Sequence, residues 1–298
     1  MADSRVRRAT GKPAERAKAA PARQRARERV AAERAARRRA EVRRRFLVAG
    51  GAITGVLAIV VALVAVKLTA SPVHQTASES IAPATIVQQV TTVPAATLAQ
   101  VSPGQAITLL EKVKKPEPLL TMNGKPAVVF VSEESCPFCA AERWALTVAL
   151  SQFGTWSQLG ITKSSATDIY PNTATLSFRT ARYRSTDLTL STTELSDNAG
   201  HPLQPQTALD SRLIANYDVP PYVNSVDQSG AVPFLDIGNQ YILAGAQYDP
   251  QVLAGLTAAQ IARQLSTPSS PVAQAVDGAA KVIIAAIDQV LHPEAGRG

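Results

Sequence analysis

Two cysteines, Cys136 and Cys139, are the only thiols in 298 residues, and they stand three apart in "VSEESCPFCAAERWAL". What flanks them constrains the fold more than any other feature. Pro126 to Ser132 is a short, apolar, β-branched run of the kind a buried strand uses. Before it, Asn123-Gly124 separates "PLLTM" from "PAVVFVS", a strong turn signal. After the cysteines, "AAERWALTVALSQFG" reads as a helix closed by Gly154, with Trp144, Val148 and Ser151 on one side and Ala145, Ala149 and Phe153 on another. A buried strand therefore meets a helix N-terminus, and both thiols lie at the junction.

Three chemistries use a close cysteine pair. A structural disulfide over a four-residue loop gains only roughly 2 kcal/mol in the chain-entropy account, against about 4.7 for a 100-residue loop. A zinc site needs about four ligands. His74, His201 and His292 are scattered and no second Cys-x-x-Cys exists, so no metal site is expected. Redox exchange is favoured, because unpaired N–H groups and the helix dipole at a helix N-terminus stabilise an anion. That placement lowers a cysteine pKa from about 8.5 to roughly 3.5–7.5. Cys136 comes first and is expected to be the exposed nucleophile. Pro137 suits the first helical turn, where its missing N–H breaks no bond. Cys139, one turn on, is expected to resolve a mixed disulfide by attacking Cys136, with Pro137 and Phe138 as the intervening motif residues. No cofactor is expected beyond the Cys136–Cys139 pair itself.

The overall charge of +8 belongs to one end of the chain. Residues 1–45 hold 17 Lys/Arg and 5 Asp/Glu, and the remaining 253 hold 14 and 18. A mildly acidic remainder argues against nucleic-acid binding. The basic tail lacks an apolar face for a core and is expected to be mostly disordered and cytoplasmic. Its arginines are of the kind that anionic headgroups attract. Phe46 to Val66, "FLVAGGAITGVLAIVVALVAV", carries no charge over 21 residues. At about 1.5 Å per residue it spans about 31 Å, which matches a hydrocarbon core. Arg43, Arg44 and Arg45 abut one end and only Lys67 the other. The positive-inside rule then puts the N-terminus in the cytoplasm and residues 67–298 outside. A cleaved secretory or twin-arginine signal would keep the same topology. In every case the cysteines lie where disulfides form and persist.

The expected organisation is a tail (1–45), a single transmembrane helix (46–66), a Ser/Thr/Pro/Ala-rich stalk (67–103) with a short helix near Ala84–Val90, a folded domain (104–267), and a C-terminal helix and tail (268–298). Within the domain, Thr173–Ser185 alternates like a strand. The polar "STTELSDNAGHPLQPQTALD" reads as loop, and Ser211–Tyr217 as a short helix. Strands at Pro233–Ile237 and Tyr241–Ala244 meet across Gly238-Asn239, a two-residue hairpin signal. Thr257 caps the helix "TAAQIARQL". Pro271–Leu291 forms a last helix with an apolar face at Ile283, Ile287 and Val290, too short in unbroken apolar length to span a bilayer. Glu142 and Arg143 are expected on an exposed helix face, Glu133 and Glu134 as solvated loop charges, and Trp144 and Trp156 in the core.

Strand, Cys-Pro-Phe-Cys, helix, then Val232-Pro233 ahead of a hairpin and a further helix: this order resembles the thioredoxin superfamily over about Thr121–Ser266. More closely, "NGKPAVVFVSEESCPFCAAERWAL", "FG" and "DIYPNT" resemble a membrane-anchored family, domain of unknown function 929. The resemblance implies an α/β, thioredoxin-like fold preceded by a single transmembrane helix. It implies that Cys136 and Cys139 are the redox pair. It also implies that Pro233 is a cis-proline facing them and that the Val232 backbone beside it pairs with an extended substrate chain. A Val before this proline is similar to the DsbA-type oxidases. The 94 positions between Cys139 and Pro233 imply an enlarged insertion, partly β here. Thioredoxins carry a buried Asp where this chain has Phe130, which makes fast reductase turnover less expected.

These readings converge on a membrane-anchored, extracytoplasmic thiol–disulfide oxidoreductase. Its expected partners are cysteines and disulfides of exported proteins, with a membrane electron carrier as the source of reducing power if it works as a reductase. The alternative is a binding or scaffold module of the cell envelope that kept the fold and turns over little. A third option is a cell-envelope protein whose C-terminal helix, Pro271–Leu291, docks a partner.

Overall fold

The computed structural model describes residues 80–102, 107–115, 117–223 and 228–293. The basic tail, the apolar run 46–66 and residues 67–79 lie outside the described residues. So do 103–106, around the expected start of the domain, and the last five positions. No helix among the described residues is long and apolar enough to cross a membrane.

The stalk reading does not hold for residues 80–101. Here β1 (Ser80–Ile81), α1 (Ala84–Thr91) and α2 (Ala95–Gln100) are folded elements. Ala82, Ile86, Val90, Val93 and Leu98 are buried in the main core, and Val101 is buried as well. The composition was Ser/Thr/Pro-rich, but its few aliphatic residues are spaced to fall on one side. Ile86 and Val90 are an i,i+4 pair.

After β2 (Glu111–Lys112), β3 (Thr121–Met122) and β4 (Lys125–Ser132) form a hairpin whose turn residues Asn123 and Gly124 both have positive φ, 53° and 76°. That is the geometry an Asn-Gly turn supplies at least strain. β4 is the centre of the sheet. Its alternation sends Val128 and Phe130 to one face and Val129 and Val131 to the other, and both faces are covered. α3 (Pro137–Leu150) follows at once and is buried along nearly its whole length.

Between α3 and the next central strand lies a β-rich segment: β5 (Thr155–Ser157), β6 (Gly160–Lys163), β7 (Ala174–Ser177) and β8 (Arg182–Arg184). β6 joins β1 and β7 in one small sheet, and β5 pairs β8 in another. The stretch Thr173–Ser185 is thus two strands broken by a turn at Phe178–Ala181 rather than one. Gly154 is required where this segment leaves α3. A Cβ there would overlap the Arg184 carbonyl and the Tyr183 ring.

β9 (Thr189–Glu194) runs parallel to β4 along its full exposed edge, from Ala127↔Thr189 to Ser132↔Glu194. Its last four residues fall in the segment read as loop. Polar Ser and Thr side chains masked a strand whose β-branched threonines favour the pleated conformation. α4 (Ala208–Tyr217) carries a capping box between Thr207 and Asp210 and packs on the Val129/Val131 face. β10 (Phe234–Ile237) pairs antiparallel with β4 and with β11 (Tyr241–Ala244). The loop between β10 and β11 has three residues, Gly238, Asn239 and Gln240, one more than the two-residue signal implied. The central order is β9-β4-β10-β11-β2.

After a 3-10 turn at Pro250–Leu253, α5 (Ala258–Gln264) begins at a Thr257/Gln260 capping box, and α6 (Pro271–Leu291) closes the fold. α6 is not a free docking helix. Val276, Ala280, Ile283 and Ile287 are buried in the core that α3 also fills, and α3 and α6 pack together on the Val128/Phe130 face. The molecule is therefore α/β, with helices on both faces of a mixed central sheet.

Candidate functional site

β4 ends at Ser132, a four-residue loop follows, and α3 starts at Pro137, so the thiols sit beyond the C-terminal end of the central strand, at the first turn of a helix. Cys136 is the N-cap. Its sulfur accepts the Cys139 backbone N–H at 3.3 Å, one of the N–H groups a helix leaves unpaired. Pro137 occupies the first helical position. Cys136 is half-buried and Cys139 is fully buried, and both are free thiols.

The two thiols are electrostatically unlike. Cys136 is lowered from its ordinary value, chiefly by a hydrogen bond from Cys139. Burial opposes this, and the Cys139 and Phe138 backbone N–H groups and the Arg143 charge assist it. Cys139 is raised well above its ordinary value by burial first, then by its hydrogen bond to Cys136 and the negative charge there. Arg143 and the Glu133 N–H, 3.5 Å from the Cys139 sulfur, partly offset that rise. The accessible sulfur is thus the one on which a negative charge is stable.

Val232 and Pro233 come to the same place. The Val232–Pro233 bond is cis, and the Cys136 thiol lies 3.7 Å from the Val232 carbonyl oxygen. Pro233 is buried, and its carbonyl accepts the Gly245 N–H at 2.8 Å. Val232 is half-buried beside Cys136. Phe138 is half-exposed and meets Tyr170 edge-on, with ring centroids 5.9 Å apart. Tyr170 comes from the "YPNT" loop, and nearby Asp249 raises its pKa. That loop is also tied to the cysteine loop by the Ser165 N–H, which donates to the Ser135 carbonyl at 2.8 Å.

Beneath the thiols lies what the sequence reading missed. Arg143 is not on an exposed face: it is fully buried and bidentate to Glu194, Nε to Oε1 at 2.8 Å and Nη2 to Oε2 at 2.6 Å. Ser132 donates its hydroxyl to the same Glu194 oxygen at 2.9 Å. Burial would lower the Arg143 pKa, but the charge and hydrogen bonds of Glu194 outweigh it and hold the guanidinium ionised. Glu142 is also fully buried. One of its oxygens accepts the Gln247 N–H at 3.0 Å, and burial pushes its pKa up to about 7. Glu134, read as a solvated charge, is buried and accepts the Ser177 hydroxyl at 2.6 Å, whereas Glu133 is half-buried. Trp144 is fully buried, its indole N–H on the Ala174 carbonyl; Trp156 is half-buried and stacks on Phe178. One signal for Arg143 was available. It lies four residues after Cys139 and so shares its helix face. Its partner was hidden in the unrecognised strand β9.

No group of three or more His, Cys, Asp or Glu side chains is gathered for a metal among the described residues. Fold and site together define an α/β domain that carries a dithiol at a helix N-terminus, opposite a cis-proline loop. A family model described as a domain of unknown function, DUF929, matches residues 111–289, and the chain belongs to that family. The match takes in β4, both cysteines, Val232-Pro233 and most of α6. Comparison with curated proteins and with solved structures gave no match.

Proposed function

We propose that this protein is a membrane-anchored thiol–disulfide oxidoreductase of thioredoxin-like fold, acting outside the cytoplasm on cysteines of exported proteins. One observation carries the reading: Cys136 caps α3 with its sulfur on the Cys139 N–H, the buried Cys139 stands behind it, and the Val232 carbonyl is 3.7 Å away. A low-pKa accessible thiol with a high-pKa buried neighbour is the division of labour that disulfide exchange needs. The element order supports the fold. β4-α3-β9-α4-β10-β11-α6 runs through a sheet in which β4 and β9 are parallel and β10 and β11 antiparallel to their neighbours, with the cis-proline just before β10.

In the reducing direction the Cys136 thiolate attacks a substrate disulfide. The substrate S–S bond breaks, a Cys136–substrate disulfide forms, and the first substrate sulfur leaves as a thiolate. The Cys139 sulfur then attacks Cys136 and expels the second substrate sulfur, to which the Cys139 proton passes. The protein is oxidised by two electrons and the substrate disulfide is reduced. Run backwards, the same steps oxidise a substrate dithiol. The Val232 N–H has no partner among the described residues, so an extended substrate can pair there while its sulfur meets Cys136.

The test is insulin reduction and oxidative refolding of a reduced, multi-cysteine protein by the wild type and by Cys136→Ser. Activity in the wild type that falls at least a hundredfold in the variant is expected. Wild-type protein inactive in both assays overturns the reading in favour of a binding module. For the anchor, the charge-free run 46–66 and its flanking arginines support a single crossing with the C-terminal part outside. The full chain is expected to stay with membranes through alkaline extraction. Cys136 is expected to react in intact cells with a membrane-impermeant thiol reagent. Release by alkali, or protection from that reagent, sinks this part.

A further inference from the structure

Arg143 extends its fork to Glu194 and Ser132, the paired end residues of β9 and β4, from one helical turn below Cys139. The same strand ends hold the cysteine loop: the Leu195 N–H donates to the Ser132 carbonyl, the Glu134 N–H to the Ser196 carbonyl, and the Ser135 and Ser196 hydroxyls are 3.1 Å apart. Nη1 of Arg143 is buried without a hydrogen-bond partner, so the fork is not fully committed to Glu194. Well-packed apolar side chains stabilise a core at least as well as a buried ion pair, because both charges must be desolvated. Stability therefore gives no reason to put this pair under two thiols rather than elsewhere along α3.

We propose that Arg143, held by Glu194, is a positioning residue for the dithiol: a fixed buried cation that stabilises negative charge as it passes from Cys136 to Cys139 during exchange. This rests on the redox reading above. When Cys136 is tied up in a mixed disulfide, Cys139 must become the anion, and it is buried with no solvent to support it. As its proton passes to the departing substrate sulfur, the guanidinium one turn below supplies the counter-charge. Cys136, Cys139 and Arg143 act on one another across that exchange, and of the four groups Cys136, Glu134, Glu194 and Arg143, the carboxylates Glu194 and Glu134 act on Arg143 from behind. Arg143 is the only cation among these four, and its effect is to lower both thiols. By stabilising the thiolate form of the reduced pair it makes the Cys136–Cys139 disulfide easier to reduce.

The experiment is equilibration of the full chain with glutathione redox buffers, together with the pH dependence of Cys136 alkylation. It compares wild type, Arg143→Lys, Glu194→Gln and the double variant Arg143→Met/Glu194→Gln, which removes both charges of the ion pair together. The double variant is expected to shift the equilibrium at least tenfold towards the disulfide, about 30 mV more negative, and to raise the Cys136 titration midpoint. Arg143→Lys, which keeps the charge, recovers most of that shift. Glu194→Gln, which keeps the cation and removes its counter-ion, shifts both readouts the opposite way. A purely structural pair would lower melting temperature in all variants without this reversal of sign. If the double variant does not fold, Glu194→Gln decides: a shift of at least tenfold towards the dithiol, absent from Arg143→Lys, supports the proposal. An equilibrium constant with glutathione and a Cys136 titration midpoint both unchanged from wild type, in the folded double variant or in Glu194→Gln, overturn the proposal. A wild-type pair that never equilibrates with glutathione overturns the redox reading instead.

Discussion

Asp277 stands on the buried side of α6, where that helix backs α3, and neither carboxylate oxygen has a hydrogen-bond partner among the described residues. Burial pushes its pKa from 3.8 up to about 8. In the fold it therefore holds a proton that the unfolded chain has already released at neutral pH. Between about pH 4 and pH 8 the native state binds more protons than the unfolded state, so stability falls as pH rises. Below that window Asp277 costs nothing, and above it the full cost is felt. The slope is at most about 1.36 kcal/mol per pH unit, so four units set a ceiling of roughly 5 kcal/mol. From pH 5.5 to 8 the span is about 2.5 of those four units, or about 3 kcal/mol of the ceiling. Because the side chain draws in water as it ionises, we expect a loss of about 2 kcal/mol over this range.

Asp277→Asn tests this, because an amide has the same shape and does not titrate. Tyr248 and Glu142 are the groups that share its surroundings: the buried Tyr248 feels the charge of both carboxylates and donates its own hydroxyl to the Ala141 carbonyl. Urea denaturation of both proteins at half-unit pH steps is the assay. The variant should match the wild type near pH 4, and its advantage should grow by about 2 kcal/mol between pH 5.5 and pH 8. Glu142, raised to about 7, still titrates in the variant and should leave it a shallower decline of the same sign. Parallel stability profiles for the two proteins across pH 5.5–8 would refute the reasoning, since Asp277 would then ionise as it does in water.

Three further outcomes are expected. Ile287→Ala, at a fully buried position on the face of α6 that packs into the shared core, should destabilise by about 2–5 kcal/mol in denaturant titration. Ending the chain after Ser270, which removes α6, should leave no cooperative unfolding transition by circular dichroism. Thr207→Ala removes the side chain that caps α4 and accepts the Asp210 N–H at 3.0 Å, and should cost about 1 kcal/mol.

The parts of this fold that were legible in the sequence are those where one short pattern carries its own reason. Asn123-Gly124 could only be a turn, Pro126–Ser132 was too apolar to be exposed, and a Pro in the first turn after Cys136 marked where the helix begins. Thr257 and Pro271 likewise announced α5 and α6. The placement of Cys136 followed as well, because a helix N-terminus stabilises a thiolate through local backbone groups alone. The charged foundation of the site did not follow, because it depends on two segments 51 positions apart. Arg143 next to Glu142 on an Ala-rich helix looks like a solvated pair until the helix is known to be covered on every side. The strand that covers it was written in Ser and Thr, with the matching Glu at its end. Each of the three misreadings (exposed Arg143, loop at 191–194, solvated Glu134) applied a sound average rule about polar residues. They failed together because one buried polar assembly joins these elements. Charges of opposite sign were free to enter the interior only as partners, so missing the strand made the arginine unreadable as well.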